Sequence, residues 1–571
     1  MYKHNTISIH TILFLSCSFL SISSAQGSRE VRGVVVDTES HAGLMGVEVR
    51  APEGPVLCVS DSTGAFKLDI GNHGSMQLRF RALGYKEESL LLEGVPDTMM
   101  QVSLQKSSYT LPEVLILSSR VPQSGRFSPS PATVITREKI DASCATSLAS
   151  IISDESGIFI KDYGATSALK TLSQQGMGTE HTLILLNGMR LSSFQNGLVD
   201  LGLLSVDQIE FVEVVRGGQS ASYGADAVAG LVNVVTRPAV RPEINIISSI
   251  GSFGYRRYLL SGSLGNRENG IRVSYGEERT DDDFGFEFRT GREAYQLTRR
   301  NSDMLARYGS LQGTIGLNQA EVGVFISSYS SERGVPGSVV SISTAAVARQ
   351  HDNDQNAQLM FSAPVANDMT LHVDGQLHVM HERYSDPMLS IGGGVLDNYF
   401  RNVDARIGPR LDVSVGKQTH FSVGGEIAQT AGEGNSLALD VRRKQAAAFA
   451  VAEVRMMLEG NPISSVTLFP AIRADAVSAL NLTWSPQAGL VVEFAPFDVG
   501  PLRSVKPVLR SSIGRNFRAP TFNELYFSGG GGIGNPTLRP ERSTSVELGC
   551  GVTFEAAGRH DLQVSFFHHD M

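Results

Sequence analysis

The feature that most constrains this chain is an alternation of apolar and polar side chains that begins after Pro238 and continues to the end. Between positions 371 and 379 the apolar members are Leu371, Val373, Leu377 and Val379, and the polar members are His372, Asp374, Gln376 and His378. Successive side chains of a strand point to opposite faces, so each such strand has one apolar and one polar face. We expect antiparallel strands over 239–571 with water on one face and lipid on the other, or, as the alternative, an array of water-soluble β-sandwiches.

Two segments precede residue 107. Residues 1–25 have the composition of a Sec signal peptide, because Lys3 is followed by an apolar stretch over 7–22 and by small residues at 23–25. Residues 26–106 have short apolar runs separated by turn residues, which is typical of a small β-sandwich. After residue 25 no apolar run approaches the length of a transmembrane helix, so helical membrane proteins are excluded.

Residues 107–131 form a linker that is rich in serine and proline and has one strand-like run, 114–117. An extended apolar segment within a mobile stretch can form main-chain hydrogen bonds with the exposed sheet edge of a partner. The run is therefore a candidate partner-binding strand, and a stray edge strand is the alternative.

Residues 132–238 have a mixed α/β pattern. Thr146 can cap a short helix whose apolar residues Leu148, Ile151 and Ile152 share one face, and Gly157 follows its expected end. Strands are expected over 182–186, 209–215 and 231–236. The loops between them are too glycine-rich and irregular for a doubly wound nucleotide-binding fold.

Three segments of this α/β region, 182–191, 209–218 and 220–236, resemble the plug domain of TonB-dependent outer-membrane receptors. The positions that carry the resemblance are Asn187, Gly188, Arg190, Glu213, Arg216, Gly217, Tyr223, Gly224, Asp226, Gly230 and Asn233. The resemblance implies a globular plug, 132–238, inside a transmembrane β-barrel.

Other parts of the chain fit the same family. Residues 26–106 resemble a carboxypeptidase-regulatory-like domain, which is an accessory sandwich and not a protease. The linker run resembles a TonB box, the element that the energy-coupling complex of the inner membrane grips. Its residues are Leu111, Glu113, Val114, Leu115, Ile116, Leu117 and Ser118.

Two positions depart from the plug pattern of the family. Asn187 stands where an aspartate is usual, and Gln175, within the run 173–176, stands where an arginine is common. Loss of that arginine puts polar contacts between plug and barrel in doubt.

The length of the last segment bears on the barrel. A barrel wide enough to hold a plug has about 22 strands and, at roughly 20 residues a strand, needs about 440 residues. Residues 239–571 therefore provide about 15 or 16 strands, and we expect an incomplete barrel. The segments 517–526 and 534–541 agree, because they resemble a motif that family members have well before their C-terminus.

The sequence indicates import and not catalysis. No zinc-protease motif or nucleophile elbow is present, so we expect no catalytic residues, no cofactor and no metal; calcium at Asp281, Asp282 and Asp283 in an outer loop is the open alternative. A net charge of -9 argues against nucleic acid.

The resemblance implies a multi-pass protein of the cell outer membrane that imports cobalamin or a ferric siderophore. The TonB energy-coupling complex and outer-membrane lipid are its expected partners, and whether a surface lipoprotein accompanies it is left open. A surface adhesin, a signal-transducing receptor and a non-functional truncated fragment are the alternatives.

Overall fold

The structure, a computed structural model, describes most of the chain after residue 29. The described residues are 30–38, 42–51, 56–69, 75–82, 85, 88–93, 99–104, 115–116, 123–124, 128–143, 145–164, 166, 168–191, 193–339, 346–391, 394–416, 418–438, 440–458, 460–529, 532–556 and 558–571. The predicted signal peptide, 1–25, lies outside them. The chain divides into two compact units, Met1–Pro112 and Glu113–Met571.

The first unit is built only of strands in the part that is described. They are β1 (Glu30–Asp37), β2 (Glu48–Arg50), β3 (Val56–Val59), β4 (Ala65–Asp69), β5 (Ser75–Arg81), β6 (Glu88–Glu93) and β7 (Met100–Leu104). One sheet has the order β4-β1-β7 and the other the order β3-β2-β5-β6. Val35, Val47, Leu78 and Phe80 are fully buried in one hydrophobic cluster, so the expected N-terminal β domain is confirmed.

The second unit begins with a two-residue ladder, in which β8 (Leu115–Ile116) pairs with β9 (Gln123–Ser124). A mixed α/β region follows. Its elements are β10 (Ala132–Ile135), α1 (Arg137–Ser143), α2 (Leu148–Ile152), β11 (Ile158–Asp162), β12 (Lys170–Gln174), β13 (Thr182–Leu186), β14 (Met189–Arg190), β15 (Ile209–Arg216), α3 (Ser220–Tyr223) and β16 (Gly230–Thr236), with 3-10 turns at Thr179–His181, Leu201–Leu203 and Val206–Gln208.

A five-stranded sheet of order β10-β15-β16-β13-β14 forms the centre of this region. Helices α1 and α2 cover one face through Ile140, Leu148 and Ile152. The helix cap differs from the prediction, because Ser147 and not Thr146 caps α2: the Ser147 hydroxyl accepts the Ser150 backbone N–H at 3.3 Å. Both residue types can cap, and the extended backbone of Ser147 decides which one does.

The rest of the unit is one large antiparallel sheet. Its strands and their companions are β17 (Glu243–Ile250), β18 (Arg256–Gly265), β19 (Asn269–Thr280), β20 (Gly285–Thr290), β21 (Glu293–Thr298), β22 (Met304–Leu317), β23 (Ala320–Val335), β24 (Ala348–Ala366), β25 (Met369–Ile391), β26 (Gly394–Val415), β27 (Thr419–Gly434), β28 (Val441–Met457), β29 (Ile463–Val477), β30 (Thr483–Phe494), β31 (Phe497–Val499), β32 (Leu502–Arg518), α4 (Phe522–Tyr526), β33 (Ser528–Gly529), β34 (Gly532–Ile533), β35 (Glu541–Glu555) and β36 (Arg559–Asp570).

Among the described residues sixteen strands belong to this sheet. Fifteen of them pair in chain order from β17 to β36, the short β31 pairs only with β32, and β20-β21 and β33-β34 form separate two-stranded hairpins. The number agrees with the 15 or 16 strands that the length predicts. The mainly β fold with a small N-terminal β domain, an α/β plug and a large antiparallel sheet is therefore confirmed.

The two faces of the large sheet have reversed burial compared with a soluble protein. On β25 the polar Gln376 and His378 are each 5% exposed, whereas Leu377 between them is 47% exposed. Apolar side chains of a soluble sandwich would lie between layers, so this reversal excludes the sandwich alternative. The pattern is typical of a barrel wall with a polar interior and an apolar exterior.

The two ends of the sheet also differ. At one end, which we call the short-turn end, strands are joined by turns such as 266–268, 318–319 and 367–368. At the other, the long-loop end, the connections include 281–303, 336–347 and 519–540. The connection 281–303 is not irregular throughout, because β20 and β21 form a hairpin within it. None of the helices in the described part has the length and apolar character to span a bilayer.

Candidate functional site

The α/β region lies against the polar face of the large sheet, and a cavity remains between them at the long-loop end. We call it the long-loop cavity. It has a volume of about 750 Å³. Its floor comes from the α/β region, including Tyr163, Leu198 and Asp200, and its wall from the inward residues of β22 to β25. Residues of the long connections, such as Arg299 and Pro336, also line it.

An ion triad joins floor and wall of the cavity. The Arg333 guanidinium on β23 donates to Asp200 of the α/β region at 2.9 Å and lies 3.0 Å from Asp352 on β24. Asp200 also accepts the backbone N–H of Gly202, which fixes its direction. Because all three side chains are largely buried, the triad ties the loop around Asp200 to the wall.

A second space, which we call the side chamber, adjoins the cavity. It has a volume of about 540 Å³ and lies between α2, β11 and the strands β18 to β23. Tyr308, Tyr329, Arg333 and Asp200 line both spaces. Asp200, Arg333 and the two tyrosines therefore stand between the cavity and the chamber.

The opposite flank of the α/β region is packed closely against the sheet. Helix α3 lies against β28, β29, β30 and β32. Gly224 ends α3 at φ 77°, where a Cβ atom would lie 2.9 Å from Nε of Arg473, a fully buried side chain of β29. A Cβ atom on Gly217, which has φ 79°, would lie 2.3 Å from Oε2 of Glu547 on β35. Only glycine allows this approach without displacing the wall.

Several predicted plug positions meet around α3. Arg190 forms an ion pair with Asp226 at 2.6 Å and also donates to the carbonyls of Tyr223 and Ala225. Burial lowers the pKa of Arg190, and the nearby Asp226 carboxylate opposes that shift. The backbone N–H of Asp226 donates to the carbonyl of Phe517 on β32, so this group is also fastened to the wall.

Other predicted positions hold the centre of the α/β sheet. Asn233 on β16 donates to the fully buried Glu213 on β15 at 2.7 Å and accepts the backbone N–H of Gly188 at 2.9 Å. Gly230 begins β16. Arg216, at the end of β15, donates to the carbonyl of Ser156, and its pKa is lowered by burial, which Glu155 opposes. These residues act within the region itself.

Both residues that depart from the family pattern form hydrogen bonds, including contacts with the large sheet. Asn187, at φ 53°, accepts from the backbone N–H of Thr236 at 2.9 Å and donates to Gln358 on β24 at 3.1 Å. Gln175 donates to Glu547 at 2.9 Å and contacts Nε2 of His569 at 2.8 Å. The doubt that the sequence raised about this position is answered, because an amide makes the contact with the wall.

The cavity residues were not singled out from the sequence. Arg333, Asp352 and Glu382 each lie on the polar phase of a strand, and that alternation is the available signal. Arg333 contacts Asp200 across 133 residues of chain, and periodicity does not contain such a contact.

Most of the predicted TonB box lies outside the described residues. This applies to Leu111, Glu113, Val114, Leu117 and Ser118, and of Leu115 and Ile116 only the pairing in β8 is described.

The acidic residues that offered the alternative of a calcium site contact other groups of the protein. Asp282 accepts the backbone N–H of Thr166, and the Asp281 side chain lies 4.0 Å from Arg279. Within the described ranges no group of three or more His, Cys, Asp or Glu residues is placed to hold a metal ion.

Comparison with known families agrees with this geometry. Residues 31–116 match the CarboxypepD_reg-like domain, residues 124–231 the TonB-dependent receptor plug domain, and residues 223–571 the TonB dependent receptor-like β-barrel. The chain is 25% identical over 437 residues to the vitamin B12 transporter BtuB of Vibrio vulnificus strain YJ016. That match covers 73% of this chain and 64%, less than two thirds, of the relative.

Solved structures show the same fold. A ferric enterobactin receptor, PfeA of Pseudomonas aeruginosa in a doubly substituted form, has a TM-score of 0.59 at 18% identity, over 77% of this chain and 71% of that one. The siderophore receptor PiuA of Acinetobacter baumannii has a TM-score of 0.58 at 14% identity, over 79% and 73%. The β-barrel family matches residues 223–571, which are more than half of this chain, so the chain belongs to the TonB-dependent receptors.

Proposed function

We propose that this chain is an outer-membrane importer that takes up cobalamin or a ferric siderophore with energy supplied by the TonB complex. The long-loop cavity is the observation that carries the proposal. Its floor is the plug and its wall is the barrel, so a ligand that binds there contacts both the fixed and the movable part of the receptor. The relationship to a vitamin B12 transporter supports the ligand class.

The coupling element is the run of residues from Leu111 to Ser118. In our proposal its main chain pairs with a strand of the energy-coupling partner in the periplasm, and the pull is transmitted to the plug. Leu115 and Ile116 already adopt strand geometry, which is the conformation that such pairing needs.

A proline substitution tests this coupling. Leu115→Pro removes one backbone N–H and restricts the preceding residue, so the partner strand loses part of its ladder. We expect cells that carry the variant to bind ligand normally and to lose uptake of cyanocobalamin or ferric siderophore. Leu115→Ile is the matched control, since it keeps the N–H and the apolar side chain.

Normal uptake by the Leu115→Pro receptor would contradict the proposed coupling element. No uptake by the unsubstituted receptor, together with loss of cell attachment or of a transcriptional response in the variant, would favour an adhesin or a signal-transducing receptor over an importer.

A further inference from the structure

Amide side chains on the polar face of β24 and β25 bind the plug. Gln358 on β24 accepts from the side chain of Asn187 at 3.1 Å and donates to the carbonyl of Leu186 at 3.0 Å. Gln376, which lies opposite Gln358 on β25, donates to the carbonyl of Arg190 at 3.0 Å. These two wall residues therefore recognise amide and peptide groups of the plug.

A third amide, Asn356, follows on the same face of β24 toward the long-loop end. Its cross-strand neighbours are Ser327 on β23 and His378 on β25. Asn356 is 2% exposed and lines the long-loop cavity. Among the described residues neither its Oδ1 nor its Nδ2 atom has a hydrogen-bond partner. Asn356 therefore lies where the contact between wall and plug ends and the cavity begins.

A buried amide without partners is unfavourable. It has lost its hydrogen bonds to water and gained none from the protein. Exchanging the positions of oxygen and nitrogen does not help here, because both atoms lack a partner in the part of the chain that the structure describes. An amide of this kind in the wall of a cavity indicates a partner that comes from outside the chain.

Neighbouring charged side chains of the cavity already have partners. Nε2 of His378 lies 2.8 Å from Oδ2 of Asp354, and Arg333 is held between two carboxylates. A ligand that binds one of these groups has to replace an existing charged partner, which is costly in a partly buried site. Asn356 can bind a ligand without breaking a contact of this kind.

Apolar side chains lie next to this amide. Phe325 on β23 and Met380 on β25 are its diagonal neighbours on the same face, and both are buried. Leu186 and Leu191 of the plug also line the cavity. A hydrogen bond in such surroundings is stronger than in water, and a ligand that lacks a matching group leaves the amide unpaired. The position therefore discriminates between ligands.

Another amide complements these two free atoms best. A carboxamide has an acceptor and a donor side by side, so it can pair with the oxygen and the nitrogen of Asn356 at the same time. Cobalamin carries several primary carboxamides at the edge of its corrin ring, whereas ferric siderophores are built around oxygen atoms that bind the metal. The chemistry of the position therefore fits cobalamin better.

We infer that Asn356 is a ligand-binding residue of the long-loop cavity that pairs with a primary carboxamide and so selects cobalamin. The inference rests on the proposed import function and narrows its ligand class. Specificity then depends on a residue of the wall as well as on the plug.

An apolar substitution tests the role of the amide. Asn356→Leu should not lower the midpoint of thermal unfolding, because none of the described hydrogen bonds is lost. The affinity of the purified receptor for cyanocobalamin, measured by calorimetry, should fall about tenfold, as the loss of one hydrogen bond in a buried site implies. A side chain with a merely structural role would not separate these two quantities.

Two control variants on β24 accompany this test. Gln355→Leu makes the same kind of change on the opposite, exposed face and should leave the affinity for cyanocobalamin unchanged. Gln358→Leu removes the contacts with Asn187 and Leu186, so the midpoint of thermal unfolding should fall.

Modified ligands test the same contact from the other side. In a series of cyanocobalamin derivatives, one side-chain carboxamide at a time is converted to a methyl ester, which keeps the carbonyl and removes the N–H donor without adding a charge. At least one derivative should bind the unsubstituted receptor about tenfold more weakly than cyanocobalamin. The same derivative and cyanocobalamin should bind Asn356→Leu equally, because the contact is already absent there.

Three results would each overturn the inference. The unsubstituted receptor binds no cyanocobalamin, or Asn356→Leu binds it with unchanged affinity because the amide meets solvent only, or every ester loses the same affinity in both receptors.

Failure of the import function is distinguishable. Uptake of a ferric siderophore that is lost in Leu115→Pro, without binding of cyanocobalamin, would keep import and overturn the role of Asn356. Binding of cyanocobalamin that depends on Asn356, without uptake by the unsubstituted receptor, would keep the binding residue and contradict import.

Discussion

The two flanks of the plug meet the barrel wall in different ways. On the flank of α3 the backbone approaches the wall so closely that Gly224 and Gly217 leave no room for a Cβ atom. On the flank of β22 to β25 the long-loop cavity and the side chamber separate plug from wall, and long side chains such as Arg333 bridge the gap. One flank is fixed by backbone contact, and the other is held by ion pairs.

The contrast between close backbone packing and ion pairs indicates which flank of the plug can be displaced more easily. Close packing of backbone against buried side chains resists small displacements because dense interiors do not deform gradually. Ion pairs next to a water-accessible cavity can exchange partners with ligand or water. We therefore expect plug displacement to start on the cavity flank, with the α3 flank as the fixed side.

The largest expected effect is on the fixed side. Gly224→Ala forces a Cβ atom onto Arg473 and also strains a residue at positive φ, so we expect a loss of about 2 to 5 kcal/mol in the free energy of unfolding. Gly416→Ala is the matched control, because φ there is 64° with no atom within 4 Å of the added carbon. The control should lose about 1 to 2 kcal/mol. Thermal unfolding of the purified receptor measures both, and equal losses would remove the case for a tightly packed flank.

The next largest effect is expected from a contact inside the plug, which tests the stability of the plug and not its contacts with the barrel wall. Asn233→Leu removes the donor to the fully buried Glu213, and we expect a loss of about 2 to 4 kcal/mol. A double-mutant cycle with Glu213→Leu tests the pair by denaturant unfolding. Purely additive losses would show that the two side chains do not support each other.

A smaller effect is expected on the cavity flank. Arg333→Ala leaves Asp200 and Asp352 with their remaining donors, so stability should fall by only about 1 to 2 kcal/mol. Hydrogen exchange of residues 193–208 should nevertheless become faster, because the loop loses its tie to β23. Arg383→Ala, which breaks an exposed pair with Asp397 on the outer wall, is the control and should change neither quantity. Unchanged hydrogen exchange in the Arg333→Ala variant would contradict the view that this ion pair holds the loop around Asp200 to the wall.

The smallest effect tests the departure at Gln175. Gln175→Ala removes its contacts with Glu547 and His569 and should cost about 1 kcal/mol. Gln175→Arg puts a cation beside the buried carboxyl of Glu547 and should raise stability by about 1 kcal/mol or less. Thermal unfolding distinguishes the two variants by the sign of the shift. A shift of the same sign for both would mean that the family's arginine does not fit this wall.

The sequence predicted the fold well where local pattern suffices. Alternation on residues such as Gln376 and Leu377 predicted the two faces of the sheet, and the strand over 182–186 has the predicted bounds. The predictions that differ from the structure concern choices between close equivalents, such as Ser147 over Thr146 as the cap. The hairpin of β20 and β21 was missed because a loop rich in charged residues does not show the alternation of a half-buried strand.

The site was less accessible from the sequence than the fold. Arg190 and Asn233 were found because they belong to a contiguous signature. Asp200, Arg333 and Asp352 come from three separate segments, and which of them meet is decided by strand register and by how the plug lies in the sheet. Those are global properties, and no local window contains them.

The short ladder between β8 and β9 has a consequence for energy transduction. Leu115 and Ile116 already share hydrogen bonds with Ser124 and Gln123, so a strand from the coupling partner would have to replace an existing neighbour or use the opposite edge. A ladder this short costs about 1 to 3 kcal/mol to open. In the proposed coupling, a partner strand that replaces β9 must offset that cost, whereas a strand that adds to the opposite edge of β8 leaves the ladder in place.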